Sequence, residues 1–280
     1  MQALWMLAAS LAFAVMSAFV KAASAYHSPA ELVFYRGLFG VIAIGGFALA
    51  TGRSLRTPHG AAHAGRGLSG GVSLLMWFYA LAHLPLATAT TLNYTSPLFV
   101  AVLSALIFKR RDERALGLTI ALGFVGIVLV LRPAFSGDQA LAGLVGAGSG
   151  MLAAVAYLSV RRLGELGEPE WRVVFYFSAI IALGCGAWMV ATGARPITAS
   201  SAPLLLGIGF CATTAQLALT RAYSRGKTLL ASNLAYATVL LSALLGLALW
   251  GETLPPVAWA GMALVIASGV IATVRTAQRR

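Results

Sequence analysis

Ten runs of membrane length, almost free of charged side chains, follow one another along this chain. No other feature narrows its folding as much. A helix crossing a ~30 Å hydrocarbon core needs about 20 mainly apolar residues. The runs are placed at 2–20, 29–51, 66–83, 87–108, 115–131, 140–160, 170–192, 202–222, 228–250 and 255–275. They are continuously apolar and not ~10-residue alternations, which excludes a membrane barrel. Only 10% of the 280 residues are charged. A soluble domain carries about 25%, so there is too little charge here to coat a water-facing surface. The expected class is an all-α polytopic membrane protein.

Punctuation between the runs agrees. Ser28-Pro29-Ala30-Glu31 combines an N-cap serine, a proline at the first helical position and a glutamate that can close a capping box. The linkers are short, and the longest, Arg53 to about Gly65, is polar and basic. The net charge of +12 lies at segment ends and forms no basic face, so it is read as a topology signal, with the lipid bilayer and no nucleic acid as partner. With the N-terminus in the cytoplasm, the inside loops hold 16 Lys and Arg, Arg66 among them, while the outside loops hold three, Lys21, Arg132 and Arg195. That bias puts both termini inside, in an inner membrane. Residues 1–25 resemble a signal peptide in their apolarity, but Met1-Gln2 is not basic, so they are kept as the first helix. Cys185 and Cys211 read as buried thiols.

The halves of the chain resemble one another. At an offset of 142, Ala89, Leu92, Tyr94 and Leu98 meet Ala231, Leu234, Tyr236 and Leu240. Val33-Phe34-Tyr35 meets Val174-Phe175-Tyr176, and Ser10 and Ala14 meet Ser149 and Ala153. Five helices is an odd number, so the second copy must lie upside down. Two inverted five-helix repeats, 1–133 and 140–275, are expected around a central cavity, with a substrate site near the midplane.

At these residues a family comes into view. Phe34-Tyr35-Arg36, Phe78-Tyr79-Ala80-Leu81, the run from Ala87 to Phe108, Arg221-Ala222-Tyr223, Ala231 to Trp250 and Gly251-Glu252 resemble the drug/metabolite transporter superfamily, and within it the tandem ten-helix exporters with two EamA-type domains. The resemblance covers nearly the whole chain. It implies export of small metabolites, with amino acids, aromatic or otherwise neutral, as leading candidates. Two departures matter: Phe177 stands where the first half has Arg36, and Lys109-Arg110 stand where the second half has Gly251-Glu252.

Polar side chains in a lipid-spanning helix are costly unless they face protein or a wet cavity. Thr88, Thr91, Tyr94 and Thr95 share one face of span four; Asn233 and Tyr236 share one face of span nine, and Thr91 and Tyr94 align with them at the repeat offset. These stripes either line a cavity or bond neighbouring helices. Pro97 is a hinge or a plain kink in span four. Gln216, Tyr157, Trp77 and Tyr79 are further candidates for substrate contact or for packing. Arg36 either binds a carboxylate or phosphate, or snorkels outward, or pairs with Glu31 near the same helix end. Spans one, three, four, six, eight and nine are expected to line the site, with five and ten peripheral. Gly67-x-x-x-Gly71 and Gly146-x-x-x-Gly150 suit close packing within one chain, and a monomer is expected.

All eight acids fall at span ends or in loops. No metal cluster, cofactor motif or P-loop is present, and no nucleophile with a base lies at membrane depth, so an enzyme is not expected. A proton-coupled mechanism would need a histidine such as His83. The function expected is a secondary transporter exporting small metabolites, most of all amino acids, by alternating access. Export of other metabolites or drugs remains open. A sugar-phosphate or nucleotide-sugar exchanger ranks lower, because Arg36 alone is counted as a buried cation, and a non-transporting membrane protein ranks lower still.

Overall fold

A computed structural model describes residues 2–107, 121–130, 139–225 and 234–277. The helices, in chain order, are α1 (Gln2–Ala23), α2 (Pro29–Ala50), α3 (Gly60–His83), α4 (Leu86–Asn93), α5 (Ser96–Ile107) and α6 (Ala121–Val130). They continue as α7 (Ala140–Glu165), α8 (Glu170–Thr192), α9 (Ala202–Arg225), α10 (Ala237–Trp250) and α11 (Pro256–Ala277). No strand occurs among the described residues. The ten expected spans are all represented, the fourth as two helices. Five helices, α1, α2, α7, α8 and α9, contain stretches long and apolar enough to cross a membrane on length and composition alone. The capping box at α2 forms as expected: Ser28 N donates to Glu31 Oε2 at 2.6 Å, and Glu31 N donates to Ser28 Oγ at 3.4 Å.

The surface carries large apolar side chains such as Leu49, Leu183, Val190 and Phe210, while Ser10, Ser73, Asn93, Ser149, Gln216, Arg36 and Arg66 are buried. Lipid explains the outside, since it has no use for polar groups; the interior polarity calls for a specific site.

The packing has two-fold symmetry. α1 lies along α9 as α3 lies along α7, and α2 meets α9 as α8 meets α3. The α2–α8 pair is its own image and sits at the pseudo-axis. It is tight: a Cβ on Gly37 would come within 2.9 Å of the Ser178 carbonyl oxygen. The peripheral helices α6 and α11 meet backbone to backbone at Gly126 and Gly261.

Both halves break their fourth helix at the same place. α4 ends at Asn93, Tyr94 and Thr95 form a turn, and α5 begins at Ser96. Pro97 has no N–H to offer the Asn93 carbonyl and its ring would clash with it. The expected kink is therefore a full stop and restart. In the second half, residues 234 and 235 are helical, Tyr236 is a turn, and α10 starts at Ala237. The same support backs each break. Ser10 Oγ of α1 donates to the Leu234 carbonyl at 3.3 Å, and α7 presses Gly150 onto the first break, where a Cβ would sit 2.6 Å from the Leu92 carbonyl oxygen.

One boundary is corrected. α3 begins at Gly60 and not at residue 66, so Arg66 is no loop charge. It is 3% exposed, inside the bundle.

Candidate functional site

A cavity of about 50 Å³ lies where the halves meet. Arg66, Gly70, Ser73 and Trp77 reach it from α3, spaced by three or four residues and so on one helix face. Phe13 of α1, Arg36 of α2, Asn93 at the end of α4, Tyr157 of α7, Phe177 of α8 and Gln216 of α9 complete most of the wall. Spans two and seven thus contribute, against expectation, and no described residue of α10 does.

The two guanidinium groups share one ring. The Arg66 guanidinium lies 4.0 Å from the Phe177 ring centre and that of Arg36 lies 5.3 Å from it. Phe177 is the residue that aligns with Arg36 across the repeat, so this contact marks the pseudo-axis. Arg36 Nη2 donates to Gln216 Oε1 at 3.3 Å. Arg36 does not turn to Glu31, which is engaged by the capping box instead. Arg36 Nε, Arg66 Nε, Arg66 Nη1 and Trp77 Nε1 are buried with no hydrogen-bond partner. Gly70 makes room for Arg66, since a Cβ there would overlap its Nη1.

The other expected residues divide. Tyr94, buried at the first break, packs edge-on to Trp77 at 6.3 Å, and Phe13 does the same at 6.4 Å. Tyr157 stacks on Tyr223 with centres 5.2 Å apart. Tyr236 is buried at the second break with an unpartnered hydroxyl. Thr88 and Thr91 are buried beside the cavity but outside its wall, and the Thr91 hydroxyl is spent on the Ala87 carbonyl at 2.7 Å. Tyr79 lies on the opposite face of α3 from Trp77, against exposed His83. His83 is therefore remote from the cavity too. Asn233 lies outside the described residues. Asn93, which sequence reasoning passed over, donates to Ser149 Oγ at 3.0 Å, and Ser73 donates to the Ser149 carbonyl at 2.8 Å.

Ties between the halves close the bundle at both ends. At one end, Lys21 Nζ pairs with Glu252 Oε1 at 2.6 Å and donates to the Leu84 carbonyl at 2.7 Å. Glu252 Oε2 accepts from Leu86 N, an orphan donor at the start of α4, at 2.7 Å. Gly251 turns the chain there with a left-handed φ of 62°. At the other end, buried Glu168 takes a short hydrogen bond from Thr57 and pairs with Arg172 at 3.0 Å and His63 at 3.5 Å. Burial alone would raise the Glu168 carboxyl, but Thr57, Arg172 and His63 together hold it below its usual value. Tyr176 and Arg172 pin the α2–α3 linker through the Leu55 and Ser54 carbonyls.

Comparison with other proteins agrees with this architecture. Residues 1–132 match the EamA-like transporter family. The chain is 32% identical to the pseudopaline exporter of Pseudomonas aeruginosa over 92% of its own length and 90% of the relative's. It is 28% identical to a riboflavin transporter of Vibrio cholerae, covering 95% of this chain and 90% of the other. A solved crystal structure shares the fold with a TM-score of 0.65 and 23% identity, over 98% of this chain and 99% of that one.

Proposed function

This chain belongs to the EamA-like transporter family of membrane-embedded small-molecule transporters, and from that premise we propose that it exports small carboxylate-bearing metabolites, amino acids and their derivatives first among them. It works by alternating access from an inner membrane, with both termini cytoplasmic. The observation that carries this is the cavity at the pseudo-axis: it is walled by both halves and rich in buried N–H donors without partners.

The relatives differ in what they carry, one being named for pseudopaline and another for riboflavin. The choice of amino acids therefore rests on the chemistry of the cavity and not on kinship. Discontinuous helices at membrane depth occur where backbone lines a binding cavity. The first break fits that use, since Asn93 beside it reaches the cavity and Pro97 holds it. A cavity of about 50 Å³ is smaller than an amino acid, so loading requires the halves to part. The Lys21–Glu252 tie and the Glu168 cluster are the contacts that would open in turn.

Uptake of radiolabelled amino acids into proteoliposomes, with and without a pH gradient, tests the reading. Uptake that is independent of the gradient and lost in Tyr94→Ala or Gln216→Ala is the expected result. A panel of amino acids and other metabolites that all fail to cross would refute it.

A further inference from the structure

Two cations sit at membrane depth in this bundle with no anion among the described residues to match them. Arg36 is 4% exposed and Arg66 is 3% exposed. Among the described residues, the ion pairs use Lys21, His27, His63, Arg161, Arg162 and Arg172, and neither cavity arginine. Glu31, Glu165, Glu168, Glu170 and Glu252 all lie at helix ends or in linkers. The partners that the cavity does supply are neutral: the Gln216 carbonyl for Arg36, and the face of Phe177 for both. An unpaired buried charge is strongly destabilising. A π face offsets only part of that. Such a pair is kept at a cost in stability, and the natural use of that cost is a ligand that cancels it.

We infer that the transported solute carries two carboxylates, one for each of Arg36 and Arg66. The inference rests on the transporter reading above and sharpens its substrate class. Guanidinium groups present a planar fork that matches a carboxylate with two parallel N–H···O bonds. The free donors are suited to this: Nε of both arginines and Nη1 of Arg66 have no partner, and the Trp77 indole N–H has none either. Because both forks lie on one ring, a single small molecule can reach both. A neutral amino acid serves the site badly. Its carboxylate would satisfy one arginine, while its ammonium would enter a cavity that has two positive charges and no acid among its described residues. A dicarboxylate, or an acidic amino acid whose ammonium points to the Gln216 and Ser73 side, brings the local charge to zero or near it.

The test uses the full-length protein in proteoliposomes with glutamate, succinate, glutamine, leucine and glycerol phosphate as labelled probes. Glutamate or succinate should cross at least about ten times faster than glutamine and leucine. Arg66→Gln and Arg36→Gln should each cut that uptake by about 10- to 100-fold, while Arg66→Lys, which keeps the charge and loses the fork, should retain an intermediate rate. Size-exclusion elution as a single species establishes that a variant folds. Gly70→Ala supplies a second variant that keeps both charges and only pushes Arg66 aside, and it too should slow glutamate more than it slows any neutral probe. Leucine and glutamine crossing as fast as glutamate, with Arg66→Gln indifferent, would overturn the two-carboxylate assignment and leave the transporter reading standing. Glycerol phosphate crossing in place of the dicarboxylates would overturn the assignment in favour of phosphate. If none of the five probes crosses, the two-carboxylate assignment falls, and the wider panel above decides the amino-acid reading separately.

Discussion

The two halves of this protein are built alike and furnished differently. Each sets its first helix against the other half's third, and each breaks its fourth helix at a tyrosine. Yet both cavity arginines come from the first half, Arg36 on α2 and Arg66 on α3, along with Trp77 and Asn93. The second half answers with Tyr157, Phe177 and Gln216, an aromatic and neutral surface. At the pseudo-axis the contrast is a single contact, Arg36 over the ring of its own repeat mate Phe177. Two-fold packing suits the alternating access proposed above, and needs only backbone and small residues to match. A bound molecule need not share that axis, so the side chains that hold it are free to diverge.

Exchanging the chemistry across the axis strains this comparison most. Arg36→Phe should lower transport by about 10- to 100-fold while leaving the thermal midpoint unchanged or higher, since a desolvated charge is removed. Arg36→Phe combined with Phe177→Arg should recover a measurable part of the rate. A double variant no better than the single would mean that the two positions are not interchangeable across the axis.

The breaks offer the next test. Gly150→Ala drives a methyl group into the Leu92 carbonyl, which is backbone and cannot swing aside. It should cost about 1–3 kcal/mol in detergent unfolding. At the related break, Ser10→Ala removes one hydrogen bond to Leu234 and should cost about 1 kcal/mol. Equal costs would argue that the two breaks are held equally firmly.

The smallest effect expected is at the ends. Glu168 is held below the usual carboxyl value of 4.5 in the folded protein. A depressed folded value means that its contribution is complete above pH about 4.5 and is lost as pH falls through the folded value. Thermal midpoints measured downward from pH 6 should drop below that point by the equivalent of about 1 kcal/mol, and Glu168→Gln should flatten the drop. An unchanged slope in that variant would move the acid sensitivity to the other end of the bundle.

The spans were legible because length and apolarity are properties of sequence, and the Ser28 cap because its motif is local. Pro97 announced the first break, whereas nothing in Leu234-Ala235-Tyr236-Ala237 announces the second, which depends on its neighbours. Arg66 was misplaced for a simple reason: a charge near the edge of an apolar run reads as loop. The spacing of Arg66, Gly70, Ser73 and Trp77 held the signal that could have placed it. The same periodicity could have set Tyr79 aside, two residues from Trp77 and so across the helix. The threonine face of span four was found, but that the Thr91 hydroxyl bonds backward to Ala87 is a rotamer choice that sequence does not carry.

Arg36 touches its repeat mate on the pseudo-axis, and this has an electrical consequence. In the alternating access proposed above, a charge on the pseudo-axis hardly moves as the halves tilt, so the membrane voltage does little work on it. The voltage acts instead on the cargo. For an anion carried outward from a cell that is negative inside, each net elementary charge gains about 2.3 kcal/mol per 100 mV. A carrier with its fixed charges on the pivot could thus expel its solute against a concentration difference, powered by the membrane battery and with no ion travelling alongside.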